Sequence, residues 1–350
     1  MMRVLRPGAA MAGVAALLVA AACGGSAGSS SGSSGCSTTF KVGLVTDVGK
    51  LSDKSFNANS WLGVQQAAAD KSLCVQARAI ESNSSDDYAK NLRLFGDGGY
   101  NMVVAVGFNL QAAAQQFAQQ YPKVKVAMVD AVPDHAMSNV VGLVFKEDQA
   151  GFLAGAVAGL YSKTGVVAGV YGLQIPPVER YRQGFEAGAK YVNKSLKDVL
   201  GVYQSPCNCP KDFNDPTWGK ARGLEFADRS ADVIFGAGGN TGNGALLAAL
   251  QRNVACIGVD VDQYLSYPEA DSCLLTSAEK HLSVAVKAAV TDAAKSHFKS
   301  GVLTFDATNN GVGAAPYHNF DSKLTSDQKA KIDQIAAGLK DGSIKTGATS

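Results

Sequence analysis

The sequence predicts an α/β protein of two doubly wound lobes, each built on a parallel sheet covered on both faces and joined to the other by a hinge of several crossovers. Three observations predict it. Continuous apolar runs of strand length alternate with amphipathic stretches of helix length, the pattern of parallel strands buried on both faces. About five such units lie on each side of residue 147. The 350 residues suit two medium domains better than one large one.

In chain order the first strands are KVGLV, CVQARAI, MVVAVG, VKVAMVD and VVGLVF, each a short apolar run ended by a polar residue or glycine. The second set is GVVAGVYG, VLGVY, ADVIFGAG, VACIGVD and CLLTS. Between them WLGVQQAAADK, YAKNLRLFGDGG, NLQAAAQQFAQQY, RYRQGFEAGAKYV and NGALLAALQRN repeat apolar positions at helical spacing. The helix EKHLSVAVKAAVTDAAKSHF, a strand-like VLTFD and the tail helix SDQKAKIDQIAAGLKDG follow. In a hinged bilobed protein such late elements are exchanged between lobes. We therefore expect an N-terminal lobe of residues 38–146 plus 278–300 and a C-terminal lobe of 147–277 plus 301–345.

Ahead of these lies MMRVLRPGAAMAGVAALLVAAACGGS: Arg3 and Arg6, an apolar run from Ala9 to Ala22, then Cys23. The run is too short for a spanning helix and reads as a signal peptide, residues 1–22. A cysteine after small residues resembles a lipobox whose Cys23 is acylated, with Ala20 where Leu is commoner; plain secretion is the alternative. Residues 23–37, rich in Gly and Ser, are expected to be the lipidated end and a flexible tether. The expected location is the extracytoplasmic face of the cell membrane.

Lys and Arg total 32 against 30 Asp and Glu, a formal net charge of +2, so no basic field favours nucleic acid. Apart from Cys23 the cysteines form an even set of six, as in an oxidising compartment. Cys36 and Cys74 each precede a predicted strand, as do Cys256 and Cys273, and neighbouring strand starts would bring each pair together. Cys207 with Cys209 is a third candidate pair. A metal cluster is the rival reading, but no cysteine pair has a histidine at ligand spacing, and no metal or cofactor is expected.

Ligands of open parallel sheets sit outside the carboxyl ends of the strands. Here those ends carry Asp47, Gly107 and Phe108, Asp130, the glycines of GAGGNTG from Gly236 to Gly242, Asp260 and Asp262, and Lys280. Carboxylates and aromatics with one lysine suit a polar neutral ligand bearing hydroxyls and a flat ring. Each residue also has a plainer reading: Asp47 and Asn57 as caps, Phe56 as core, and one of Asp260 and Asp262 turned away by strand alternation. Lys280 is read in the first turn of a helix, where the dipole disfavours a cation.

DVIFGAGGNTGNG imitates a dinucleotide fingerprint, but position 241 holds Thr241 where glycine is needed, and no P-loop occurs. The glycines permit close backbone approach to a ligand or make a tight turn. None of His135, His281, His297 and His318 stands in a nucleophile or metal motif; Ser277 with carboxylates is the remaining catalytic reading, and we expect no enzyme.

The lipobox, the tether and VGLVTDVGKLSDKSFNANSW together resemble the basic membrane protein family of ABC-transporter substrate-binding lipoproteins, which includes the PnrA purine nucleoside receptors. FKEDQAGFLAGAVAGL, YRQGFEAGAKYVN, DFNDPTWGKARGLEFADRSADVIFGAGGNTGNG, IGVDVDQ and TSAEKHLSVAV extend the resemblance over the mature chain. It implies a type I periplasmic-binding-protein fold whose lobes close over a purine nucleoside, a monomer that serves ABC permease subunits. It also implies that Phe56 and Phe213 stack on the base, that Asp47 and Asn57 bond its edge, and that Asp130, Gly238, Asp260 and Lys280 hold the ribose or the lobe facing it. Cys207-Asn208-Cys209, just ahead of Phe213, and the GKLSDKSF loop depart from or vary within that pattern. A sugar receptor and a membrane-tethered sensor are the other readings.

Overall fold

The computed structural model describes Cys36 and residues 38–349, and the signal peptide, Cys23 and the tether through residue 35 lie outside the described residues. The first five strands are β1 (Phe40–Val45), β2 (Val75–Ile80), β3 (Met102–Val106), β4 (Lys125–Val129) and β5 (Val140–Phe145). With them run α1 (Phe56–Ala69), α2 (Asp86–Asp97) and α3 (Gln111–Gln120). Then follow α4 (Glu147–Tyr161), β6 (Val166–Leu173), α5 (Pro176–Val192), β7 (Asp198–Gln204), α6 (Pro216–Asp228), β8 (Val233–Ala237), α7 (Gly239–Arg252), β9 (Ala255–Asp260), the single turn α8 (Gln263–Ser266) and β10 (Leu274–Lys280). The chain ends with α9 (Leu282–Ala294), β11 (Gly301–Phe305), β12 (Val312–Ala314) and α10 (Ser326–Asp341).

Two six-stranded sheets result, ordered β11-β5-β4-β3-β1-β2 and β12-β10-β9-β8-β6-β7. Every pairing is parallel except β12 with β10. Every residue of β3, β6, β8 and β9 is buried, which is why those runs are apolar without alternation. Each sheet repeats one order, with the strand direction of travel reversing between β1 and β3 in the first and between β6 and β8 in the second. Such switch points open a crevice at the carboxyl ends of the strands.

The expected lobe boundaries need two corrections. Residues 301–305, assigned to the second lobe, form β11, which pairs with β5 in the first sheet. Residues 278–280, assigned to the first, complete β10 in the second sheet. The reason is packing: α9 lies against α1 and carries the chain to the outer edge beside β5 before it returns to add β12 next to β10. The chain thus passes between lobes at Lys146, at His281 and through residues 306–311. These passages are knitted together, since Lys146 N–H donates to Phe305 O and His281 N–H to Gly311 O, both at 2.9 Å.

In the second lobe α4 packs on α5 at backbone distance. A Cβ on Gly155 would run into the carbonyl of Phe185, and one on Gly188 into the carbonyl of Phe152. That close approach accounts for the glycine spacing of FLAGAVAG and GFEAG. Disulfides join Cys36 to Cys74, Cys207 to Cys209 and Cys256 to Cys273, so the thiols that could have held a metal beside Asp212 are bound to each other.

Candidate functional site

A cavity of about 530 Å³, counting its opening to solvent, lies between the carboxyl ends of the two sheets. Asp47, Phe56, Asn57, Asp130, Phe213, Gly238, Asp260 and Lys280 all line it. The sheets explain the convergence: Asp47 follows β1, Asp130 follows β4, Gly238 follows β8, and Asp260 and Lys280 end β9 and β10.

At one end, Asp47 N–H donates to Val106 O, fixing the residue between β1 and β3. Its Oδ1 accepts from Gly49 N–H and from Asn57 Nδ2, each at 2.8 Å. Asn57 Nδ2 also donates to Asp53 Oδ2 at 3.2 Å. Because that amide faces two carboxylates, Asn57 Oδ1 must point away from them, and it is buried without a partner. Asp53 caps α1: Oδ1 accepts from Ser55 N–H at 3.0 Å and Ala58 N–H at 3.1 Å, and Oδ2 from Asn57 N–H at 2.7 Å. Helix α1 therefore opens at Phe56, whose ring joins the cavity wall. Burial raises Asp47 above the ordinary carboxylate range against the pull of Asn57 and Gly49. The same cause pushes Asp53 up to about 7 despite its backbone donors.

At the other end Lys280, 2 % exposed, gathers three acids. Its Nζ lies 2.7 Å from Asp130 Oδ2, 3.2 Å from Glu147 Oε1 and 4.0 Å from Asp260 Oδ1. The ring centres of Phe56, Phe145 and Tyr181 stand 4.8, 5.3 and 5.6 Å from the ammonium. Burial acts to lower the Lys280 pKa, but the three acids together outweigh it and raise it. Asp130 and Asp260 are both raised by burial, with Lys280 opposing. Tyr181 Oη donates to Asp260 Oδ1 at 3.1 Å, while Asp130 Oδ1 is buried without a partner. Asp130 and Asp260 adopt left-handed backbone, φ 62° and 67°, which turns the chain sharply where each strand ends.

Phe213 reaches the cavity from the second lobe, also in left-handed conformation, φ 56°. Its N–H donates to Gln204 Oε1 at 3.0 Å, and its ring covers Gly172, where a Cβ would meet ring carbons. The Cys207–Cys209 loop ahead of it is tied down by Asp212, which accepts from the N–H groups of Cys207 and Asn208. Asn208 Oδ1 in turn accepts from Ser85 of the first lobe. Asn243 Nδ2 donates to Asp53 O at 2.9 Å and Ser266 Oγ to Lys54 O at 2.8 Å, so the lobes are closed on each other.

Several readings change. Lys280 ends a strand and stands outside any helix; α9 begins at Leu282. Gly238 lines the cavity, yet a Cβ there would also strike Gly172 N, and Gly239 turns into α7 with φ 56°, so the glycines serve the corner as well as the wall. Asp262 caps α8 and pairs with His318. Ser277 Oγ accepts from Gln263 N–H and does not line the cavity. Gly107 and Phe108, expected at a strand end, line the cavity, whereas sequence reasoning missed Asp53, Glu147, Tyr181 and the apolar wall of Ile175, Pro177 and Val178. Asp53, Glu147 and Tyr181 sit in stretches quoted for the resemblance, but as single letters they look like a cap, a surface acid and a core aromatic.

Chemically the cavity offers acceptors and flat apolar faces, and its one ammonium is already shared. A model of the Bmp family, described as ABC transporter substrate-binding protein PnrA-like, matches residues 40–343. The chain is 31% identical over 326 residues to a Listeria monocytogenes protein described as a CD4+ T-cell-stimulating antigen, with 88% of each chain covered. It is 28% identical over 324 residues to the Lactococcus lactis ABC transporter nucleoside-binding protein BmpA, with 88% of this chain and 89% of that one covered. An ABC-transporter solute-binding protein from Aeropyrum pernix K1 shares the fold with a TM-score of 0.79 at 23% identity, over 87% of this chain and 92% of that one.

Proposed function

The chain belongs to the Bmp family of PnrA-like ABC transporter substrate-binding proteins, and on that premise we propose that its cavity captures a purine nucleoside for delivery to a membrane permease. A protein of this family binds and hands over its substrate; it is not an enzyme. The observation that carries the nucleoside reading is a cavity walled by a phenyl ring from each lobe and lined with buried acceptors that have no partner. Phe56 and Phe213 stack on the base. Asp47 and Asn57 accept hydrogen bonds from its edge, and Asp130, Gly238, Asp260 and Lys280 hold the ribose. The Lactococcus relative's description as nucleoside-binding supports the same ligand class. Anchoring through an acylated Cys23 on the outer face of the membrane, as a monomer, completes the proposal.

An ionised carboxylate only accepts hydrogen bonds, so it favours guanine and hypoxanthine, whose ring N–H adenine lacks. Calorimetric titration of ligand-free protein should therefore give tight binding of guanosine and inosine and roughly tenfold weaker binding of adenosine, about one hydrogen bond's worth. Binding of ribose or myo-inositol as tight as that of guanosine would overturn the reading.

A further inference from the structure

Glu147 is fully buried at the first position of α4, directly after the chain crosses from β5, and it does not line the cavity. Its two oxygens face two cations: Oε1 accepts from Lys280 Nζ at 3.2 Å and Oε2 from Arg180 Nε at 2.7 Å. A buried carboxylate is costly to desolvate, and α4 otherwise buries only apolar or small residues. Something other than packing keeps an acid there.

We propose that Glu147 is a positioning residue for the ligand's sugar, holding the Lys280 ammonium off the cavity acids so that Asp130 keeps an oxygen for a ligand hydroxyl. The inference rests on the nucleoside reading. An ammonium has three protons to give. One goes to Asp130 Oδ2 and one to Glu147, while Asp260 at 4.0 Å is beyond hydrogen-bond reach. Asp130 Oδ1 stays unpartnered as a result. Charge points the same way: Asp130, Glu147 and Asp260 against Lys280 and Arg180 leave one negative charge in excess. Without Glu147 the excess disappears, the ammonium settles onto Asp130 and Asp260, and the oxygens meant for hydroxyls are taken.

The test compares guanosine with 2′,3′-dideoxyguanosine, which keeps the base but lacks both ring hydroxyls, by calorimetry on wild type and Glu147→Gln. Guanosine affinity should fall about tenfold, the worth of a hydrogen bond to a charged group, while dideoxyguanosine changes less than about threefold. Equal losses for both ligands, or no loss for guanosine, would overturn the proposal. Should Glu147→Gln fail to fold, the double variant E147M/R180M removes the pair without stranding a charge; it keeps the one-charge excess but takes away the ammonium's second acceptor, so the same split is expected from the lost hydrogen bond alone. If that variant also fails to fold, Glu147 is a folding residue and the proposal falls. Wild-type protein that binds neither guanosine nor inosine refutes the nucleoside reading itself, an outcome separate from any variant's.

Discussion

At one end of the cavity Asp47 and Asp53 are held by uncharged N–H groups of Gly49, Ser55, Asn57 and Ala58; at the other, Asp130, Glu147 and Asp260 surround one ammonium. Both ends bury acids, but they offset the cost of doing so differently. Neutral donors orient a carboxylate without cancelling its charge, so protonation remains an option, as the raised Asp53 records. A lysine opposes, without cancelling, the rise that burial gives Asp130 and Asp260, and it makes their arrangement depend on its own position. The first end is also local, built from β1 and the loop into α1, whereas the second draws Asp130 from one lobe and Lys280, Glu147 and Asp260 from the other. The first end thus takes its side-chain geometry from short-range contacts and meets the other lobe through Asn243 at Asp53 O, whereas the second is itself a link between lobes.

The largest effect expected is that of Lys280→Met. It leaves three buried acids with Arg180 alone, and urea unfolding should show a loss of about 3–5 kcal/mol. A loss under about 1 kcal/mol would put the two ends on the same footing. Asp47→Asn should act on binding instead: guanosine affinity drops between about tenfold and a hundredfold, as for hydrogen bonds to a charged acceptor, with a much smaller change in urea midpoint. An affinity within twofold of wild type would remove Asp47 from base recognition. The smallest effect concerns pH. Asp53 binds its proton more tightly folded, at about 7, than unfolded, near about 4, so the stabilisation from that proton is full below about pH 4 and is lost as pH rises through 7. The urea midpoint of the empty protein should thus fall between about pH 5 and pH 8, and Asp53→Asn should flatten the decline. An unchanged slope in the variant would mean that Asp53 is ionised throughout.

Much of this was legible in the sequence because parallel strands advertise their ends. Asp47, Asp130 and Asp260 each follow an apolar run, and the fold brings such ends to one crevice. What was not legible depends on partners distant in the chain. β11 has four exposed residues and reads as a strand without saying which sheet it will join; the answer came from α9 packing on α1. Lys280 looked helical because CLLTS seemed to end the run, yet β12 pairs with Lys280 itself and extends the strand. Glu147 and Arg180, 33 positions apart, resemble solvent-facing charges until α4 and α5 meet. Asp53 is one polar letter in a polar loop, and only three backbone donors reveal its work.

The salt link from Lys280 to Asp130 crosses the cleft beside the knitted passages at Lys146 and His281, where the chain runs from lobe to lobe. Swinging the jaws apart must draw that ammonium away from one of its carboxylates, with water the replacement. The link is thus a latch between the lobes, set next to the chain passages. Whatever parts the lobes has to work against this latch, so that opening becomes an event that must be driven.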